Sequence, residues 1–291
     1  MAEKDCHGRI QVHPRQVRLN PSMGPIGVFD SGVGGLSVLR ALLLELPHEQ
    51  FVYVADSGHA PYGERNDDFV LQRSHAIADW LIAQHHIKAL VVACNTATAA
   101  AIRALRATYP ALPIIGIEPA LKPAAQLSKT GVIGVMATRG TLNSEKFRTL
   151  LESLHGKATF VLQPCDGLAD AIERVDAIET EALCAQYTRA MGQFGSKEGE
   201  MDTLVLGCTH YPFSAKVLAD QVGINIPLLE GGLPVARQTR RLLAERHALQ
   251  AEMTTDRPVL FCTTGHPDAL KEAVQRWLYL DTDVASVQIN R

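Results

Sequence analysis

An apolar run from Ala89 to Ala93 leads directly into Cys94-Asn95-Thr96, and an Ala-rich stretch continues from Thr96 to about Thr108. A short unbroken apolar run fits a strand buried on both faces, as in a parallel sheet. The alanines fit a helix. Cys94 stands where strand passes to helix, with Asn95 and Thr96 as expected capping residues. Backbone N–H groups and the dipole at a helix N-terminus favour an anion. A free thiol with a pKa of about 8.5 can be lowered there to roughly 3.5–7.5, so Cys94 is placed to become a thiolate. The arrangement returns in Asp202-Thr203-Leu204-Val205-Leu206-Gly207-Cys208-Thr209-His210-Tyr211-Pro212, where Pro212 would help start a helix. Either cysteine alone reads most simply as a buried structural thiol, since free cysteine is among the most buried residue types. The repetition points instead to two facing groups of one chemistry.

The other strands follow the same logic. Ile26 to Asp30 is a strand, Ser31 to Ser37 a Gly-rich turn, and a helix follows to about Leu46. Strand, glycines and helix suggest a dinucleotide fingerprint, with Asp56 near the expected acidic position. However, Ser37 occupies the third glycine position and Asp30 would repel a pyrophosphate. A better reading is that the glycines let backbone N–H groups and Ser31 approach a small anion such as a carboxylate. Phe51 to Ala55 is a second strand, and the turn at Pro61-Tyr62-Gly63 could present Tyr62 and the Gly63 amide to a ligand. Asp67 to about Gln84 is an amphipathic helix, with His85 and His86 on the surface. A second series starts near Gly131 with a strand ending at Thr138. Ala158 to Leu162 is a short strand, Leu168 to Arg174 and Glu179 to Phe194 are helical, and Ile226 to Leu229 and Pro258 to Phe261 are strands.

Residues 131–215 thus repeat the pattern of 26–100, which predicts two similar α/β halves, each a doubly wound parallel sheet. Ligands of such sheets bind at the carboxyl ends of strands. Asp30, Ser31, Asp56, Cys94, Thr138 and Cys208 all fall there, predicting one site in the cleft between the halves. Two opposed thiols suit stereoinversion: one removes a proton from carbon and the other returns one to the opposite face. Asp30 would accept an ammonium or aid proton transfer at Cys94, and His210 would support Cys208. Ser31, Asn95, Thr96, Thr138 and Thr209 would hold carboxylates together with backbone N–H groups.

Composition narrows the partners. With 28 Lys+Arg against 31 Asp+Glu, there is no electrostatic case for nucleic acid or membrane. No apolar run approaches the ~20 residues that span a bilayer. Six cysteines in 291 residues, with no secretory signal, predict free thiols in a reducing cytoplasm. No close Cys/His cluster suggests a metal site. Residues 1–24 read as a flexible N-terminal extension.

Four segments, Phe29 to Ser37, Pro61-Tyr62-Gly63, Ala93 to Ala97 and Leu206 to Pro212, together closely resemble the glutamate racemases, a cofactor-independent branch of the aspartate/glutamate racemases. The resemblance runs in order from about Pro25 to beyond Arg237. It implies interconversion of L- and D-glutamate for peptidoglycan, with Cys94 and Cys208 as the acid/base thiols and no cofactor. It places Asp30, Ser31, Tyr62, Gly63, Asn95, Thr96, Thr209 and His210 around the amino acid, and by position matches Glu173 to an auxiliary glutamate near the second thiol. It also implies that residues 25–118 and 229–291 form a first domain and 119–228 a second. Glu230 stands where the family usually has Asp, which puts cleft-facing hydrogen bonding there in doubt. Some family members with an N-terminal extension are activated by a UDP-linked peptidoglycan precursor, and a homodimer is an assembly the resemblance allows. Two other readings remain at this point: a racemase of aspartate or another amino acid, and a non-catalytic module that binds an amino acid or nucleotide. Cys6, Cys165, Cys184 and Cys262 lack the strand-end position and the following Thr, and receive no role.

Overall fold

A computed structural model describes residues 24–252 and 258–290; the extension expected over 1–24 lies, apart from Gly24, outside the described residues. Six parallel strands, β1 (Ile26–Asp30), β2 (Phe51–Ala55), β3 (Ala89–Val92), β4 (Ile114–Gly116), β9 (Val259–Thr263) and β10 (Val284–Ser286), form one sheet in the order β10-β9-β2-β1-β3-β4. Four more, β5 (Val132–Ala137), β6 (Thr159–Pro164), β7 (Thr203–Leu206) and β8 (Leu228–Leu229), form a second parallel sheet in the order β6-β5-β7-β8. The first four strands of each series therefore sit in the same spatial order. The repetition read from the sequence is a repetition of topology, and β9 and β10 extend only the first sheet. Sequence reading located β9 within a few residues and missed β10, whose Ser286 and Ala285 are exposed.

Every residue of β1, β2 and β3 is buried, because helices cover both faces. Ile26, Val28, Phe51, Tyr53, Ala89 and Val91 enter one core with α1 (Leu36–Glu45), α10 (Gly232–Glu245) and α11 (Pro267–Leu278). The intervening Phe29, Val52, Val54, Leu90 and Val92 enter another with α2 (Asp67–His85) and α3 (Asn95–Thr108). Burial on both faces explains why these strands lack a polar alternation. In the second sheet, Ile133, Val135 and Val205 face one core while Met136, Leu204 and Leu206 face the other.

Local chemistry sets the ends of the helices. Asn66 caps α2, its side chain accepting from the Phe69 N–H at 2.8 Å, and His86 ends it at φ 49°. His85 is half-buried beside the Trp80 ring, 4.7 Å between centroids, so only His86 is the surface residue expected. The cap of α3 is Cys94 itself, its sulfur accepting from the Ala97 N–H. Asn95 and Thr96 instead begin the helix. After β7 the expected helix does not start at Pro212. A 3-10 turn spans Tyr211–Ser214, and α9 runs from Ala215 to Val222. No helix of the described residues is long and apolar enough to cross a membrane.

Candidate active site

β1 ends at Asp30, and the chain turns through Ser31–Gly35 before α1. Asp30 is fully buried. The N–H groups of Ser31, at 2.7 Å, and Gly35 donate to its two oxygens. The Ser31 hydroxyl lies 3.4 Å from Asp30 Oδ1, and the Cys94 thiol donates to Ser31 Oγ over 3.8 Å. A polar path thus joins Cys94 to Asp30. Burial raises the Asp30 carboxyl to about 6, His210 pulling it down and the Glu173 charge pushing it up. Asp30 is not among the residues lining the cavity described below; it lies behind Ser31, which links it to Cys94.

Cys94 is 5% exposed. Burial pushes its thiol well above the ordinary range, and the Asp30 charge adds to this. The Ala97 N–H, 3.4 Å from Sγ, and the Ser31 contact work in the opposite direction and lose. The helix end favours a Cys94 thiolate, as the sequence suggests, but burial outweighs the helix terminus and favours the thiol.

Cys208 follows β7 and is 6% exposed. His210 Nδ1 lies 3.7 Å from its sulfur, and His210 Nε2 lies 2.8 Å from Glu173 Oε2. Glu173 closes α7 (Leu168–Glu173). Burial opposes the His210 charge, yet hydrogen bonding to Cys208 and Glu173 raises its pKa well above the usual value. Burial also opposes ionisation of Glu173, but contacts with His210, Val33 and Ser57 hold its carboxyl below the usual range.

The Gly-rich turn does bind a carboxylate, and it is one from the chain itself. The Val33 N–H donates to Glu173 Oε2 at 2.9 Å. Methyl groups at Gly32 or Gly34 would collide with the Glu173 carboxylate or the His210 ring. Gly32 and Gly34 make room for the other half of the molecule, while Ser31 of the same turn borders the cavity described below.

Between the halves, one cavity is lined by both Cys94 and Cys208, together with Ser31, Tyr62, Gly63, Asn95, Thr96, Thr138, Thr209, His210 and Glu173. Asn95 is buried, and neither its Oδ1 nor its Nδ2 has a hydrogen-bond partner. An unmet buried amide costs about 1–3 kcal/mol, so Asn95 brings unspent hydrogen-bonding capacity to the cavity wall. Thr138 caps α5 (Arg139–Asn143), and its hydroxyl lies 3.1 Å from that of Thr96 across the cleft. The Tyr62 hydroxyl donates to Asp56 at 2.5 Å, and Arg73 binds both oxygens of the same carboxylate. Tyr62 therefore offers its ring, not its hydroxyl, to the cavity, and Asp56 holds that loop in place. Glu230 does not line the cavity; its carboxylate accepts from the Gly232 N–H at 2.6 Å, at the start of α10.

Sequence reading missed Cys165, Asp166 and Arg139, which also line the cavity. Cys165 is at a strand end after all, directly after β6, which runs two residues further than expected. Arg139 lies 2.5 Å from Asp166.

Comparison with known proteins places this geometry. A sequence model described as Asp/Glu/Hydantoin racemase matches residues 26–239. The chain is 46% identical over 266 residues to a protein named glutamate racemase from Pseudomonas entomophila, covering 90% of this chain and 97% of that one. Its fold superposes on glutamate racemase isoform RacE1 from Bacillus anthracis with a TM-score of 0.81 at 31% identity, covering 92% of this chain and 98% of that one. It also superposes on Escherichia coli glutamate racemase, solved with L-glutamate and the activator UDP-MurNAc-Ala, with a TM-score of 0.75 at 28% identity, covering 90% and 97%. Paired thiols at equivalent strand ends, a matched span of both sheets and these likenesses agree: the chain belongs to the Asp/Glu/Hydantoin racemase family.

Proposed function

We propose that this protein is a glutamate racemase in which Cys94 and Cys208 act on opposite faces of the α-carbon. The observation that carries this reading is that both buried thiols line one cavity, each backed by its own acid/base partner: Ser31–Asp30 behind Cys94, and His210–Glu173 behind Cys208. In one direction a thiolate takes the α-proton, and the electrons of the broken C–H bond spread into the α-carboxylate. The opposite thiol then gives its proton to the other face. Each turnover leaves thiol and thiolate exchanged, ready for the reverse reaction. The near-complete burial of both sulfurs keeps water from competing for the proton. Ser31, Asn95, Thr96, Thr138 and Thr209, with the Gly63 backbone, are the groups we assign to the amino acid.

Glutamate is the substrate named in the relatives above. One methylene is worth only about 1–3 kcal/mol in a pocket, so activity on aspartate is measured beside it. Racemisation of both amino acids in D₂O tests the reading: deuterium is expected at Cα of inverted glutamate, with aspartate much slower. Binding of glutamate without α-exchange would leave a non-catalytic binding module in its place. The same assay with and without UDP-MurNAc-Ala tests an activator role for that compound, and truncation of residues 1–24 tests whether the extension serves it. Supply of D-glutamate to peptidoglycan, a cytoplasmic location, a homodimer and division into 25–118 with 229–291 and 119–228 belong to the same proposal. The division is supported by the strands each sheet recruits.

The mechanism carries a pH signature. Generating the Cys94 thiolate requires an ionised Asp30 to take the proton through Ser31. With Asp30 raised to about 6, kcat/KM is expected to rise with pH through a midpoint near that value, and Asp30→Asn to lower the rate and flatten this limb. The sign for stability is opposite. The native state keeps the Asp30 proton after the unfolded chain has lost it, so this contribution is complete below the unfolded pKa and is lost as pH rises through about 6. Circular dichroism of glutamate against pH checks the first statement, and melting of wild type and variant checks the second.

A further inference from the structure

We propose that Ser57 is a positioning residue for the Cys208 half of the reaction, acting through Glu173 and His210. The inference rests on the racemase reading above. Ser57 stands in the short turn that follows β2, on the six-stranded side of the cleft. Its hydroxyl donates to Glu173 Oε1 at 2.9 Å. The Val33 N–H, also from that side, donates to Glu173 Oε2 at 2.9 Å. Glu173 and His210 come from the four-stranded side, joined at 2.8 Å, with His210 Nδ1 3.7 Å from the Cys208 sulfur.

The chain of contacts thus runs Ser57, Glu173, His210, Cys208, and its first link crosses the cleft. With its Nε2–H donated to Glu173, the charged His210 ring that these contacts favour turns its Nδ1–H to the Cys208 sulfur and stabilises the thiolate, and the neutral ring leaves Nδ1 to accept the Cys208 proton. The carboxylate that orients this imidazole is itself gripped from the opposite half. Separating the halves would remove both grips and leave Glu173 free to turn away. The acid/base apparatus of Cys208 is therefore completed only when the cleft is shut. On the other side the contacts joining Cys94, Ser31 and Asp30 lie within one half, and Asp30 also accepts from the Thr209 hydroxyl across the cleft at 3.3 Å.

Ser57→Ala and Ser57→Thr test this with α-deuterated L- and D-glutamate. L- and D-glutamate are equal in free energy, so kcat/KM falls equally in the two directions. We expect Ser57→Ala to lower it about tenfold, the size of one hydrogen bond to a charged group, and Ser57→Thr to restore most of it. The deciding quantity is the isotope effect on kcat/KM. It should rise for the enantiomer whose α-proton goes to Cys208, because that step becomes more rate-limiting, and fall for the other. The enantiomer is identified by which one still undergoes β-elimination of a suitable analogue in Cys94→Ser. An unchanged rate in Ser57→Ala, or a lower rate with both isotope effects unaltered, would overturn the proposal, the second result leaving Ser57 a merely structural role. Failure of wild type to racemise glutamate would instead overturn the underlying reading.

Discussion

Cys94→Ser and Cys208→Ser should each lower kcat by about 10²–10⁴-fold, the range for loss of a positioned general acid or base, while the double variant falls little further. A hydroxyl occupies the same space but holds its proton far more tightly, so the shape of the cavity survives and the proton transfer does not. The lack of additivity follows from the chemistry. Inversion needs one group on each face, and once either is missing the other has no partner with which to complete a turnover. A reaction needing only one base separates the two. With a β-substituted amino acid carrying a good leaving group, each single variant should keep elimination from one enantiomer and lose it from the other. Stopped-flow absorbance of the elimination product, alongside circular dichroism of racemisation, measures both. Full racemisation in either single variant would remove that cysteine from the mechanism. The prediction depends on both sulfurs bordering the same cavity, not on either being reactive at rest; burial pushes the Cys94 thiol up.

The parts of this molecule written in local sequence were legible. Apolar runs bounded by small polar residues gave the parallel strands, and the strand-end rule gave Asp30, Ser31, Cys94, Thr138 and Cys208. What local sequence does not show is contact between residues far apart in the chain. The α3 N-terminus favours a Cys94 thiolate, but the thiol is buried in a core with Phe29, Val54 and Tyr62, and burial opposes ionisation. Gly32 and Gly34 looked like a ligand cradle because nothing local reveals that Glu173 and His210 arrive there from far along the chain. Ser57 carried no signal at all, since a serine after a strand is an ordinary turn residue. Cys165 was lost for a different reason. β6 is an edge strand of half-exposed residues ending in Gln163-Pro164, a polar close that reads as loop, so the strand-end rule was applied two residues too early.

Gly34→Ala should lower kcat about 100-fold, with only a modest fall in melting temperature. Gly34 does not adopt a positive φ, so alanine meets no backbone strain, and loss of glycine's freedom in the unfolded chain favours the variant by about 0.4–1 kcal/mol. The new methyl, however, would stand 2.4 Å from His210 Nδ1 and 2.6 Å from Cε1. The ring must move from its contacts with Glu173 at 2.8 Å and Cys208 at 3.7 Å, and such overpacking costs about 1–3 kcal/mol. A misplacement of about 1 Å can cost 10²-fold in rate. Gly131→Ala supplies the opposite case. Its φ is +72° and a methyl there meets nothing within 4 Å, so strain of about 1–2 kcal/mol should lower the melting temperature without touching kcat. A large loss of activity with a modest loss of stability at Gly34, and stability lost with activity kept at Gly131, would show that glycine in the turn after β1 serves the seating of His210 rather than the path of the backbone. If Gly34→Ala kept full activity, His210 would have been shown to work from more than one position, and the assignment of its ring to Cys208 would have to be given up.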